Sequence, residues 1–193
     1  MITFSNIIEE WAKIYKPIAH DPDPKNKHKA FFLIDTEQTE NDFYAHFNTI
    51  DYPCMGYDTR IHVAVTDRNQ KVIAYRQYVL FMIPQKSASS ARTVINDDSE
   101  GARCKAELDS MCQELLAYLS KLKAAAPEGK LVISDDLTVT IPPEDALTLR
   151  GLDLSEVQWE TEARRLGKWW MATLELTVIS PRRKCITTAN YGK

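Results

Sequence analysis

The sequence predicts an α+β fold: a curved, mainly antiparallel sheet with one long helix packed across it and an N-terminal helix, residues 1–193 forming a single domain. Three observations predict it. Glu156 to Ile179 reads as two alternating strands around a Leu166-Gly167-Lys168 turn. On the second strand Trp170, Ala172, Leu174, Leu176 and Val178 fall on one face, and Trp169, Met171, Thr173, Glu175 and Thr177 on the other. That period of two marks a sheet with one face against a core. Arg60 to Ile83 reads as a second hairpin, and Cys104, Leu108, Met111, Cys112, Leu115, Leu119 and Leu122 form the stripe of one helical face.

At the N-terminus, Ile7, Ile8, Trp11, Ile14 and Tyr15 share a helical face, with Ser5 as candidate cap and Pro17 at or just past the end. His20 to Lys29 holds two prolines among alternating charges and reads as a surface loop. Ala30 to Asp35 is short and nearly all apolar, a buried strand. Residues 36–58 show no clean period and are expected to be an irregular connection holding one short helical turn or strand.

In the second hairpin, Ile61, Val63 and Val65 alternate with polar or small residues, and Asp67 to Gln70 supplies the turn. On the return strand Ile73, Tyr75, Val79, Phe81 and Ile83 oppose Val72, Ala74, Tyr78, Leu80 and Met82. Both faces turn apolar, so this strand is expected at the centre of the sheet, covered on both sides. Residues 84–98, rich in Ser and Ala, read as a mobile loop or arm. Asp97, Asp98 or Ser99 then caps a helix of about 24 residues and roughly 36 Å, ending near Ala125. Leu131–Ile133 and Leu137–Ile141 read as short strands about a Ser134-Asp135-Asp136 turn, residues 141–155 as a loop, and residues 181–193 as a loose tail.

The 193 residues suffice to bury about 70% of the unfolded surface, so folding requires neither disulfide nor metal. A hydrophobic share of 44% and a charged share of 26% are those of an ordinary globular chain. The net charge of −3, with no basic stripe, argues against nucleic acid or an anionic membrane as main partner. No signal peptide or membrane-length apolar run is expected, which points to a cytoplasmic protein. Cys54, Cys104, Cys112 and Cys185 form no CxxC pair and read as free thiols, with Cys104 and Cys112 on the buried helix face.

Chemistry has little to stand on. His20, Asp21, Asp23 and His28 are the best metal-ligating set, two imidazoles and two carboxylates within nine residues. Their spacing matches no common site, and a solvated loop is the favoured reading. His46 and His62 are single histidines, and Asp135-Asp136 reads as a turn rather than a catalytic pair. The sequence holds no GxSxG, HExxH or phosphate-binding glycine loop, and only six glycines. No cofactor is expected. A hydrolase using His20, Asp21 or His46 is the weakest of the functional readings.

Trp169 and Met171 lie on the strand face opposite Trp170. Either Trp169 is a partly exposed amphipathic residue, or the pair belongs to a subunit interface, where Trp and Met are enriched. Arg182 and Arg183, with Lys184, form a small basic cluster past the last strand, either a solvated tail or a contact with an acidic partner surface.

The chain resembles the tail-terminator and tail-completion (head–tail joining) proteins of long-tailed bacteriophages and prophages. The resemblance rests on Ile7-Ile8-Glu9-Glu10-Trp11-Ala12 near the start and on Gly167 to Val178, GKWWMATLELTV, near the end. It also rests on the order helix, strands, loop, long helix and closing hairpin. It implies a non-enzymatic virion assembly protein, a homo-oligomeric ring at the tail end or head–tail joint whose partners are other tail or connector proteins. Such a protein is made in the host cytoplasm and assembled into the virion. Trp169, Met171, Arg182 and Arg183 are the candidate interface residues. The alternative is a small-molecule or peptide binding domain with a pocket between sheet and helix, beside Trp170.

Overall fold

The elements follow in the order α1 (Ser5–Ile14), β1 (Phe31–Ile34), α2 (Glu37–His46), β2 (Cys54–Val65), β3 (Val72–Pro84), α3 (Asp97–Ala125), β4 (Lys130–Ser134), β5 (Leu137–Thr140), α4 (Pro143–Gly151), β6 (Leu152–Arg164) and β7 (Trp169–Pro181). The computed structural model describes residues 4–23, 25, 28–46, 49–65, 72–84, 97–164 and 169–181. The expected arm, the tail with Arg182, Arg183 and Cys185, and the tips of both hairpins lie outside them, apart from Pro84, Asp97, Asp98 and Pro181.

Five strands form one sheet in the order β1-β2-β3-β7-β6, and β4-β5 form a separate two-stranded ribbon. Within the large sheet β1 runs parallel to β2, and every other pairing is antiparallel. The expected central strand is β3: Val79 to Ile83 are all buried, on both faces. A parallel neighbour needs a crossover, and α2 supplies it. This corrects the expectation for residues 36–58, which hold a ten-residue helix and the first residues of β2. Thr36 caps that helix, its Oγ1 accepting from the Thr39 N–H (3.1 Å), and Glu37 and Glu40 sit in the first turn where the helix dipole favours acid.

Cross-strand register sorts the helices onto faces. Tyr57, Val79 and Leu174 are partners across three strands, as are Met55, Phe81 and Ala172. Trp11 meets Phe81 edge-on at 5.8 Å, placing α1 on this face. Trp159, partner of Leu174, donates its indole N–H to Asp109 Oδ1 (2.8 Å), placing α3 on the same face. A Cβ at Gly101 would stand 2.9 Å from Trp170 Cζ2, so the start of α3 lies directly on that ring, as the strand pattern predicts. On the opposite face, a Cβ at Gly56 would stand 2.8 Å from Phe43 Cζ, so α2 covers the β1-β2 end of the sheet. The predicted stripe of α3 is buried throughout, from Cys104 to Leu122.

Two expectations are corrected by packing. Trp169 is 5% exposed and Met171 is 1% exposed, so their face is not an open apolar surface on the single chain. Met171 lies across from Met82, and Trp169 from Pro84, so the large side chains at this end of β3 and β7 pack side by side. Residues 141–155, expected to be a loop, contain α4. Pro143 occupies its first turn, where a missing N–H costs nothing, followed by Glu144 and Asp145. The turn at Asp135-Asp136 and its flanking strands form as expected. Gly129, at φ 72°, supplies the left-handed residue that ends the α3 segment before β4 begins.

Candidate interaction surface

The longest helix presents two sides. Its apolar stripe is spent on the sheet, while Glu114, Ala117 and Lys121 stand exposed on the outer side. Beside them runs a groove of about 200 Å³. Trp11, Ile14 and Tyr15 of α1 form one wall, Trp11 and Tyr15 stacking at 4.3 Å. Leu131, Val132 and Ile133 of β4 form the other. The ribbon is too short to bury both of its faces, so Val132 and Ile133 remain 61% and 44% exposed.

Tyr118, four residues after Glu114, turns beneath this groove. It is 7% exposed, and its hydroxyl is buried without a hydrogen-bond partner. Burial pushes the phenol up to about 12, with Glu10 and Asp145 acting in the same direction. It is therefore a protonated donor at neutral pH with no acceptor, a condition that costs about 1–3 kcal/mol.

A second apolar feature lies on α4. Only Leu149 of this helix is fully buried; Glu144, Leu147 and Arg150 form its exposed side, and Leu147 is 66% exposed. Leu147 is not among the walls of the groove.

The residues singled out for chemistry are held in local structural roles. His20 is buried, its Nδ1 accepting from the Ala30 N–H (3.3 Å) and its Nε2 lying 3.9 Å from Glu9. Burial lowers its pKa below 6.5. Burial outweighs the opposing Glu9 carboxylate, and a ring unprotonated at Nδ1 is the form that accepts the Ala30 bond. Asp21 and Asp23 close successive turns, accepting from the N–H groups of Asp23 and Lys25 (both 2.9 Å). His28 stacks on Tyr52 at 4.1 Å, with Nε2 3.1 Å from the Ile18 carbonyl. His20, Asp21 and Asp23 line one open cleft of about 330 Å³ with Glu9, Lys29 and Phe31, and His28 lies outside it; among the described residues no three His, Cys, Asp or Glu side chains come together as metal ligands would. His46 packs against Phe32, and His62 lies in β2 across from Arg76. Cys54, Cys104 and Cys112 are buried free thiols, and burial pushes the Cys112 thiol up to about 12.

Sequence reading missed the groove because its lining comes from four separate elements, Leu137 of β5 included. The available signal was the run Leu131-Val132-Ile133 in a short strand too small to bury it. Among the described residues no helix is long and apolar enough to cross a membrane. No protein-family model matches this chain, and no curated protein matches it.

Proposed function

We propose that this chain works by association rather than catalysis, as a subunit of a ring at the tail end or head–tail joint of a long-tailed phage or prophage. The observation that carries the reading is the groove between α1, α3 and β4, flanked by exposed Val132 and Ile133 and floored by Tyr118. Contiguous exposed apolar surface of this kind marks association sites. The helix-and-sheet layout supports the tail-protein reading at the level of architecture, which is analogy. The ring would be made in the host cytoplasm and incorporated into the virion beside other tail or connector proteins. Native mass spectrometry across a concentration series tests this. A discrete closed oligomer is expected, whereas a strict monomer at high concentration that binds no tail or connector protein would count decisively against it.

A second reading is favoured by the stacked Trp11 and Tyr15 wall: the groove takes a small aromatic ligand. The interval beside Trp170, where a pocket was expected, is occupied by Gly101, with the Lys105 ammonium 5.2 Å from the ring centre. A thermal-shift screen of small aromatic compounds, repeated on Tyr15→Ala, separates this reading from association.

A further inference from the structure

We propose that the groove is filled by helix α4 of a second copy of this chain, with Leu147 as the side chain that enters it. The proposal rests on the ring reading above and names the contact that builds the ring. Two observations agree.

The first is shape. Leu147 stands 66% exposed on a helix, while the groove presents an apolar trough floored by Tyr118 with the small Ala117 on its rim. A projecting leucine over a small residue between larger ones is how helices interlock. The second is charge. On α4, Glu144 precedes Leu147 by three residues and Arg150 follows it by three, all exposed. On α3, Glu114 and Lys121 flank Ala117 and Tyr118, again exposed. The charged ends are separated by about 9 Å on α4 and about 10.5 Å on α3, at 1.5 Å per residue. Docked antiparallel, Glu144 meets Lys121 and Arg150 meets Glu114, with Leu147 between. Docked parallel, like charges would coincide. None of these four side chains has an ion-pair partner within the described chain, so the arrangement breaks no existing pair.

The two halves of this contact are different patches of one chain. Knob and groove on separate patches give a heterologous contact, which closes into a ring when the rotation between neighbours divides a full turn. A helix laid into an apolar groove is a recurrent recognition mode.

The test is the oligomeric state of full-length variants by analytical ultracentrifugation and native mass spectrometry. Leu147→Asp and Lys121→Glu are expected to weaken assembly at least tenfold while leaving the far-UV spectrum and thermal melt of the subunit unchanged, since both positions are solvent-exposed. Lys121→Glu combined with Glu144→Lys restores the pair across every contact and is expected to recover assembly. If the parent chain assembles and these variants assemble equally well, the proposed contact is wrong while the ring reading stands. If the parent chain is monomeric at high concentration, the proposed contact is wrong, and the ring reading falls with it when the chain also binds no tail or connector protein. Loss of assembly in Lys121→Glu without recovery in the double variant also overturns the antiparallel pairing.

Discussion

Beneath α1, a chain of polar atoms crosses an otherwise apolar layer. The Phe4 N–H donates to the Tyr57 hydroxyl (3.0 Å), which donates to Gln77 Oε1 (2.5 Å), and Tyr57 and Gln77 are both buried. Tyr57→Phe leaves both outer partners short of a bond and is expected to destabilise the fold by about 1–3 kcal/mol, read as a lowered urea midpoint with an unchanged slope. The sequence carried a hint of this arrangement: Gln77 interrupts an apolar face between Tyr75 and Val79. Its partner twenty residues away follows only from the β2-β3 register. His20 gives a second residue-scale expectation. Burial and the Lys13 and Lys29 ammonium groups disfavour its charged form, while Glu9 and Asp21 favour it, and the net pKa lies below 6.5. A group held neutral by the fold contributes its full stability above that unfolded value and loses it as pH falls toward the folded one. Stability is therefore expected to decline from pH 7 to 5.5 in urea titrations, and His20→Gln to flatten that slope.

At the scale of elements, the difference between what could be read and what could not follows from how much each element buries. The stripe of α3 and the strands β3 and β7 present four or more buried apolar residues each, enough for a period to emerge. By contrast α2 buries only Phe43 and α4 only Leu149 fully, so neither displays a period at all. Both helices are announced instead by their first turns, Thr36 with two glutamates and Pro143 with two acids. With so little apolar contact, α2 depends on a clamp. Arg60 donates to both carboxylate oxygens of buried Asp58 from β2 and also pairs with Glu40 on the helix. Hydrogen bonding to Asp58 is the main cause raising the guanidinium pKa. Arg60→Ala leaves Asp58 buried beside its lost partner and is expected to cost about 2 kcal/mol by the scale of charged hydrogen bonds. A loosened α2 should also become cleavable by limited proteolysis near residues 37–46 before the rest of the chain.

Over the whole molecule, the mainly antiparallel sheet with α3 across it was legible, because two hairpins and a long helix leave few other arrangements. The parallel β1 was not, because a four-residue apolar strand carries no information about its direction. The burial of Trp169 was not legible for a related reason: alternation assigns a side chain to a face but does not say how far its neighbours cover it. Among the described residues the exposed large apolar side chains are Val132 and Ile133 on the ribbon, Leu147 on α4, and Leu33 and Ile179 in the large sheet.

The lone parallel pairing also marks where the sheet is least anchored. The hairpins β2-β3 and β6-β7 join strands that follow one another along the chain, β3-β7 joins strands from its two halves, and β1 is held to β2 alone across the α2 crossover. At the sheet margin, with four residues and one neighbour, β1 is the segment where native-state opening begins. Amide hydrogen exchange should show Phe31–Ile34 and α2 exchanging together, at lower protection than β3 and β7. Equal protection across all five strands would mean that the molecule opens only as a whole.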